Sequence, residues 1–517
     1  MSEIFDPIGA LWLMQKYQVS PFLPLMVKSG IATRRSTEKN NDTGFRVELY
    51  LEKTRPSPDF IAHLQFHLKH EIPHLEFLAR LFEKVGKQEI QQWVVAEPTG
   101  QYARRAAFLY EWLTGNPLQV PENVGGNYVD VLNDQFVVTA SAEKIEKNSR
   151  WRVNNNLAGT PDFCPMLLKN ERFLKSASLD IRALLNELVT EFGEDLLLRS
   201  SVWLTLRESK ASFAIEGEGN QVSRIERFAD VIARHTGKGN LPLTQIKLAH
   251  LQQDILGESK AIQHYGIRQS PVFVGQTYRF KEIVHYIAPP FDTLEQKLSG
   301  ILQFWQKTAG QSPIIRSAVI AFGFVYLHPL ADGNGRLHRF LFNDILVRDG
   351  VLPDTVILPI SGVIAESASE RLNYANVLDE LSKPLMENLQ GRYTFTKHHH
   401  TYADGIQSNL NFNEYSLAEP LWRYPNLTKH VIYLAGLIQK VIESDMREES
   451  QYLRQHEQAR EAIKNLVDMP NHYADRIIRS VLQNNGVIGN KLLKEFTFLK
   501  EQAIQKALVK HIAEIFQ

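Results

Sequence analysis

Residues 328–339 read HPLADGNGRLHR, and this stretch decides how the chain around it folds. An apolar segment, residues 317–327, precedes it and has the periodicity of a buried helix. Pro329 ends that helix, and Asp-Gly-Asn-Gly at residues 332–335 forms a tight turn whose glycines accept positive φ. A second helical pattern starts at Arg336. The sequence therefore predicts two helices joined by a turn that leaves main-chain N–H groups uncovered.

The polar residues of this stretch have the chemistry of a phosphate site. A glycine-rich turn that opens into a helix binds anions, and Arg336 and Arg339 add donors that suit phosphate oxygens. Asp332 is a hard oxygen ligand that can hold Mg²⁺ against phosphates. His328 lies on the same rim and can act as a general base. Each feature alone is common in structural turns, but together they indicate a site for nucleotide phosphates.

The stretch resembles the signature of the Fic family, His-x-Phe-x-(Asp/Glu)-Gly-Asn-Gly-Arg-x-x-Arg, at seven of its eight fixed positions. Leu330 stands where the family has phenylalanine, and it keeps an apolar side chain at that position. The resemblance implies a mostly α-helical core. It also implies transfer of AMP from ATP, with Mg²⁺, to a Ser, Thr or Tyr hydroxyl of a protein, with self-modification included.

The resemblance assigns a role to each position of the motif. His328 would deprotonate the target hydroxyl, and Asp332 would coordinate Mg²⁺ between the α- and β-phosphates. The phosphates would be held by the turn and the two arginines: Gly333, Asn334, Gly335, Arg336 and Arg339. Among these, Asn334 would also touch the α-phosphate, Arg336 the β-phosphate side and Arg339 the γ-phosphate.

Residues 210–220, KASFAIEGEGN, resemble the inhibitory helix of many Fic proteins, (Ser/Thr)-x-x-x-Glu-(Gly/Asn). Ser212 and Glu216 are four residues apart and share one helix face, and Gly217 can end the helix. We expect an inhibitory helix near residues 202–217, in which Glu216 pairs with Arg339 and takes the place of the γ-phosphate. Ser and Glu at this spacing are also common on a solvated helix.

Two further segments belong to the same expectation. Residues 270–290 alternate as a hairpin would and resemble the Fic flap, which holds a target by strand addition; a hairpin packed only for stability is the alternative. Tyr374 lies where Fic proteins often place an aromatic residue near the adenine, and a core tyrosine is the alternative.

Composition limits the classes of function. The 517 residues carry 58 basic and 58 acidic side chains, so no net field favours nucleic acid or a membrane as partner. The single cysteine, Cys164, excludes an internal disulfide and fits a reducing cytoplasm. The first residues carry acids where a signal peptide carries bases, and the longest apolar stretch is shorter than a membrane helix needs. We expect a cytoplasmic protein.

Helical periodicity dominates the chain, and the fold class expected is mainly α. The predicted regions are an α+β N-terminal region at residues 1–165, a Fic core at 166–391 and a helical C-terminal region at 392–517. Within the last region, residues 475–514 resemble a helix-turn-helix or winged-helix module, or a small helical bundle with a solvated face. The N-terminal region can select targets or make oligomer contacts, such as those of a homodimer.

Three functions stay open at this point. The first is a self-inhibited protein adenylyltransferase, which an intact set of His328, Asp332 and Arg339 favours. The second is a protein de-adenylylase, in which Glu216 positions water. The third is a regulator whose core senses nucleotide and whose C-terminal region binds DNA.

Overall fold

A computed structural model describes residues 6–40, 43–257, 262–279 and 281–516. Within these ranges the chain is mainly α-helical with small sheets, which confirms the predicted fold class. The chain divides into two compact units. The first unit comprises Met1–Leu179, Glu208–Asp354 and Ile360–Leu437, and the second comprises Asp180–Arg207, Thr355–Pro359 and Ile438–Gln517.

The helices up to the middle of the chain are α1 (Ala10–Tyr17), α2 (Phe60–His70), α3 (Leu75–Val85), α4 (Gln88–Ala96), α5 (Gln101–Thr114), α6 (Glu171–Ala177), α7 (Ile181–Phe192), α8 (Glu194–Ile215), α9 (Val222–His235) and α10 (Gln245–Leu256). Those that follow are α11 (Leu294–Lys307), α12 (Pro313–Leu327), α13 (Asn334–Arg348), α14 (Ile360–Glu366), α15 (Ala368–Asn388), α16 (Tyr415–Arg423), α17 (Thr428–Lys440), α18 (Arg447–Leu466), α19 (Asn471–Gln483), α20 (Asn490–Glu495) and α21 (Gln502–Phe516). A π-helical turn, Val441–Met446, joins α17 to α18.

The strands are short: β1 (Pro7–Ile8), β2 (Val27–Ile31), β3 (Ser36–Lys39), β4 (Arg46–Tyr50), β5 (Val129–Asp130), β6 (Glu146–Asn148), β7 (Val153–Asn155), β8 (Phe273–Tyr278), β9 (Lys281–Ile287), β10 (Tyr393–Thr401) and β11 (Gln407–Phe412). The first four strands form a sheet in the order β1-β2-β4-β3, in which β2 and β4 are parallel. A second sheet has the order β5-β7-β6, and β8–β9 and β10–β11 are antiparallel pairs.

The N-terminal residues build a hydrophobic core of their own, from α1–α5 and the first two sheets. This core also includes Tyr424, which follows α16. Main-chain hydrogen bonds join the same two stretches, from Cys164 to Arg423 and from Met166 to Pro425. The predicted boundaries near residues 165 and 391 therefore both fall inside the first unit.

Two buried helices position the motif. Almost every residue of α12 and α13 is buried, as expected of helices that are covered on all sides. Pro313 starts α12, where its missing N–H costs nothing. The six residues from His328 to Gly333 then turn the chain into α13, so that the polar motif lies at one end of an apolar core.

None of the helices in the described part of the chain is long and apolar enough to cross a membrane.

Candidate active site

His328 ends α12 in the left-handed region, at φ 47° and ψ 54°. Its Nδ1 lies 2.9 Å from the carbonyl oxygen of Val325. A carbonyl only accepts, so Nδ1 carries the proton and Nε2 is left as the proton acceptor of the ring. Burial lowers the pKa of His328 to about 4, and the nearby Arg268 acts in the same direction. The imidazole is therefore neutral at pH 7 and able to take a proton.

The loop after His328 is closed by two residues of the motif. The Asn334 side chain accepts from the N–H of Leu330 at 2.9 Å and donates to its carbonyl at 2.7 Å. Both polar atoms of the amide are thus used within the loop. Leu330 itself is 1% exposed and forms a β-bridge with Ile267. Leucine fills the position of the family's phenylalanine as a buried apolar anchor.

The turn presents the start of α13 as an anion site. Gly333 precedes the helix at φ 91°, a conformation that favours glycine, and no side chain caps the helix. Gly335 lies in the first turn, and a Cβ there would collide with Oε1 of Glu216. The absence of a side chain at Gly335 is what lets a carboxylate oxygen approach the helix end this closely.

Glu216 bridges the two arginines of the motif. Arg336 donates from Nε to Oε2 at 2.5 Å, and Arg339 donates from Nη2 to Oε1 at 2.7 Å. Both guanidinium groups are 2% exposed, and the Glu216 side chain is 24% exposed. Burial opposes the charge on Glu216, but Arg339 and Arg336 outweigh it and lower its pKa. The carboxylate stays ionised and occupies an anion position on the motif.

Ser212 lies on α8, one helical turn before Glu216, and it also binds Arg339. Its hydroxyl accepts from Nε of Arg339 at 2.8 Å, and its carbonyl accepts from Nη2 at 2.9 Å. Gly217 follows Glu216 at φ 77° and lies just beyond the end of α8. Structure and sequence thus bring Ser212, Glu216 and Arg339 together, although 123 residues separate the last two.

Asp332 is the one carboxylate among residues 328–339, and solvent reaches it. Its side chain is 44% exposed, and its Oδ1 lies 3.4 Å from Nη2 of Arg336. The carbonyl of Asp332 accepts from the Gln252 side chain at 2.8 Å, which fixes the backbone of the loop. The described residues hold no group of three or more His, Cys, Asp or Glu side chains suited to a metal. One accessible carboxylate suits Mg²⁺ that takes its other ligands from phosphates and water.

Tyr374 lies on α15 beside the second half of the motif. Its side chain is buried and stacks on His338 with ring centroids 6.1 Å apart. Burial raises the pKa of Tyr374, and a hydrogen bond with Arg339 opposes that rise. The structure therefore brings Tyr374 to Arg339, and its contact with an adenine stays a prediction.

Three residues at the site were missed by sequence reasoning. Glu218 pairs with Nη2 of Arg336 at 3.1 Å. Glu208, on α8, accepts from the main-chain N–H and the hydroxyl of Ser361 at 2.6 and 2.5 Å. Arg268 donates to the carbonyl of His328 at 2.7 Å. The spacing of Glu208 four residues before Ser212 was a signal, whereas nothing in the sequence marks Arg268.

The hairpin β8–β9 forms where the flap was predicted. Its register shifts between Val274 and Gly275, and the Tyr286 hydroxyl of β9 donates to the carbonyl of Tyr326 in α12 at 2.6 Å. The end of the hairpin is therefore attached to α12, the helix that His328 directly follows. Residues 258–261 and 280 lie outside the described part of the chain.

Comparisons with known proteins find similarity in the part of the chain that holds the motif. Residues 242–346 match the sequence profile of the Fic/DOC family. A protein adenylyltransferase fic-1 of Caenorhabditis briggsae is 33% identical over 134 residues, which are 26% of this chain and 24% of that protein. A protein adenylyltransferase Fic of Drosophila virilis is 30% identical over 121 residues, 23% of either chain. The chain thus matches about a quarter of the length of these curated relatives.

A crystal structure of a Fic family protein from Desulfovibrio desulfuricans G20 superposes with a TM-score of 0.39 and 18% identity. The superposition covers 58% of this chain and 82% of that one.

Proposed function

We propose that this chain, which matches the Fic/DOC family profile over residues 242–346, transfers AMP from ATP to a hydroxyl side chain of a protein, itself included. The observation that carries this proposal is the pairing of one carboxylate, Glu216, with both motif arginines at 2.5 and 2.7 Å. Two buried cations beside an uncapped helix start suit the phosphates of a nucleotide.

In the proposed reaction the target oxygen attacks the α-phosphorus of ATP. The new oxygen–phosphorus bond forms as the bond to pyrophosphate breaks, and Nε2 of His328 takes the hydroxyl proton. Arg336, Arg339 and the main-chain N–H groups of residues 333–335 hold the phosphates in place. Most of the catalysis comes from such positioning and electrostatics.

Asp332 would hold Mg²⁺, which would neutralise phosphate charge when bound. Its accessible carboxylate, close to Arg336 on the rim of the motif, supports this assignment. The reducing cytoplasm stays the proposed compartment, on the ground of the single, buried Cys164.

We propose that the chain inhibits itself. Glu216 occupies the side of Arg339 that a γ-phosphate would need, so the carboxylate and the phosphate compete for one guanidinium. Breaking a buried pair of this kind is costly unless a new anion replaces the carboxylate. The inhibited form therefore persists until a nucleotide is bound in the productive position.

The test is Glu216→Gly. We expect this variant, incubated with labelled Mg-ATP, to incorporate at least about tenfold more AMP into itself than the parent. The γ-phosphate no longer competes with Glu216 for Arg339, and a change of about 1.4 kcal/mol in that competition is a factor of ten. Label transfer is measured on purified protein and on cell lysate, with mapping of the modified peptides. Unchanged incorporation in a variant that still binds ATP would contradict self-inhibition.

His328→Ala in the Glu216→Gly background is the matched control. We expect it to lower transfer by about 10²–10⁴-fold, the usual contribution of a general base, with ATP binding retained. Full activity of the double variant would remove His328 from the proton transfer.

De-adenylylation is tested in the same protein. Mapped, AMP-modified protein is incubated with the parent and with Glu216→Gly. Release of AMP by the parent alone would show that Glu216 positions the attacking water. The reaction would then remove AMP, which is the reverse of the proposed direction.

DNA binding by the C-terminal region is the second candidate function. Helices α18–α21 share a hydrophobic core, and Lys500 and Lys506 are exposed near and on the last helix. Against this, Arg476 pairs with Glu495 and Lys510 lies 3.7 Å from Glu514, which reduces the free positive charge. A gel shift that weakens steeply with salt, without label transfer, would favour the DNA-binding function.

A further inference from the structure

Arg268 is a buried arginine outside the motif, and it is 1% exposed. Its guanidinium donates to three main-chain carbonyls: Nε to His328 at 2.7 Å, Nη1 to Ser270 at 2.5 Å and Nη2 to Pro289 at 2.6 Å. Its own main-chain N–H donates to the carbonyl of Pro329 at 2.8 Å. One residue thus makes four hydrogen bonds to the two segments that flank the proposed reaction.

Two of these carbonyls lie at the two ends of the hairpin, and the third belongs to His328, the proposed general base. Ser270 lies just before β8 and Pro289 just after β9, so the guanidinium joins both ends of the flap. The third carbonyl belongs to His328, whose left-handed conformation is unusual for a residue with a side chain. The planar fork of the guanidinium carries donors on three nitrogens in fixed directions, and here each nitrogen reaches a different carbonyl.

The location of the three acceptors distinguishes Arg268 from a buried arginine that serves stability alone. Burial lowers the pKa of Arg268 to about 10, and its hydrogen bonds go to neutral carbonyls. Burying the cation costs desolvation energy. The hydrogen bonds in return fix the geometry between the two ends of the flap and His328.

We propose that Arg268 is a positioning residue that couples the flap to His328, so that a target strand bound along the hairpin and the base are held in one register. The inference rests on the proposed AMP transfer. It assigns to Arg268 no contact with ATP or with the reacting atoms.

Arg268→Lys is the test, made in the full chain with Glu216→Gly. Lysine keeps the charge, but its donors share one nitrogen and do not reproduce the spread of the guanidinium fork. A displacement of about 1 Å at His328 costs about 10²-fold in rate. We expect kcat for AMP transfer to fall by about 10–100-fold, with KM for ATP unchanged. Arg268→Gln, which keeps two N–H donors without charge, covers the case in which the lysine variant does not fold.

Arg104→Lys provides a matched control. Arg104 is also buried and donates to three main-chain carbonyls, those of Trp151, Arg152 and Asn127. Burial lowers its pKa as well. A thermal midpoint lowered by both substitutions, with kcat lowered only by Arg268→Lys, separates positioning from stability.

The two ways of failing are distinct. If the Glu216→Gly parent transfers AMP and Arg268→Lys keeps kcat within twofold of Arg104→Lys, the coupling is wrong and the proposed function stands. If KM for ATP rises in step with the loss of kcat, Arg268 shapes the nucleotide site and is not a coupling residue. If the parent transfers no AMP at all, the proposed function fails and this inference falls with it.

Discussion

At the scale of single residues, His328 is held from two sides. Its ring donates to the carbonyl of Val325, and its own carbonyl accepts from Arg268. These bonds fix both the tautomer and the left-handed backbone, which would otherwise cost about 1 kcal/mol or more. The imidazole is therefore held in place by contacts within the protein.

The pKa of His328 leads to a prediction about pH. Burial lowers that pKa to about 4, so the base form is fully present above about pH 5 and is lost only as the pH falls through 4. Removal of Glu216, which raises this pKa, moves it further down. We expect kcat/KM of Glu216→Gly to vary less than about twofold between pH 6 and 8. The measurement is the initial rate of labelling at each pH. A fall in that rate at acid pH with a midpoint near 6.5 would contradict the prediction, because it would mean that the imidazole is exposed and its pKa is not shifted.

At the scale of elements, the end of α8 presents three polar residues at intervals of four: Glu208 and Ser212 on the helix and Glu216 directly after it. Glu208 is buried and holds Ser361 at the start of α14, while the other two hold Arg339 of α13. The end of α8 is thus attached to two neighbouring helices.

We therefore expect Glu208→Ala to weaken self-inhibition. The substitution leaves the main-chain N–H and the hydroxyl of Ser361 without their acceptor, and a buried donor left unpaired costs about 1–3 kcal/mol. AMP incorporation by a chain with Glu216 intact should rise by about 5–100-fold. The measurement is self-labelling with Mg-ATP, and in the Glu216→Gly background the same substitution should add nothing.

The pKa of Glu208 gives this attachment a pH dependence of known sign. Burial raises the pKa from 4.5 to about 7, against the hydrogen bonds of Ser361 and Gly362 and the charge of Arg339. A raised pKa means that the attached helix binds a proton more tightly than a released one, so attachment weakens as the pH rises from about 4.5 to 7. Basal labelling should increase over this window in the parent and lose that increase in Glu208→Ala.

At the scale of the whole molecule, the chain forms two compact units, and α8 begins in the second and ends in the first. The last helices of the second unit pack around their own apolar core, in which Leu508 and Ile512 are fully buried. This core is separate from the one formed by the N-terminal residues.

We expect two unfolding transitions, of which Leu508→Ala lowers one. Truncation of a fully buried leucine costs about 2–5 kcal/mol, and Lys506→Ala on the exposed face of the same helix should cost less than about 0.5 kcal/mol. Calorimetry of both variants measures this. A single transition that shifts as a whole would mean that the units unfold together.

The sequence anticipated the helices on both sides of the motif within a few residues, since apolar periodicity fixes buried helices strongly. It also anticipated Ser212, Glu216 and Arg339 as partners, because a resemblance supplied the pairing that distance along the chain conceals. Residues 127–140 alternate between polar and apolar residues as a strand would, but the structure has only the two residues of β5 there. Alternating apolar residues there pack into the N-terminal core without a continuous ladder.

By itself, then, the sequence determined the local chemistry: a turn with two glycines, a histidine before it, a carboxylate and two arginines within twelve residues, and the helical character of the chain around it. These follow from periodicity and from short-range spacing. Only the tertiary structure decided what Arg268 and Glu208 contact, because each has a main-chain partner, 60 and 153 residues away, that no side chain in the sequence marks. Hydrogen bonds to backbone depend on where the chain passes, and that is a property of packing.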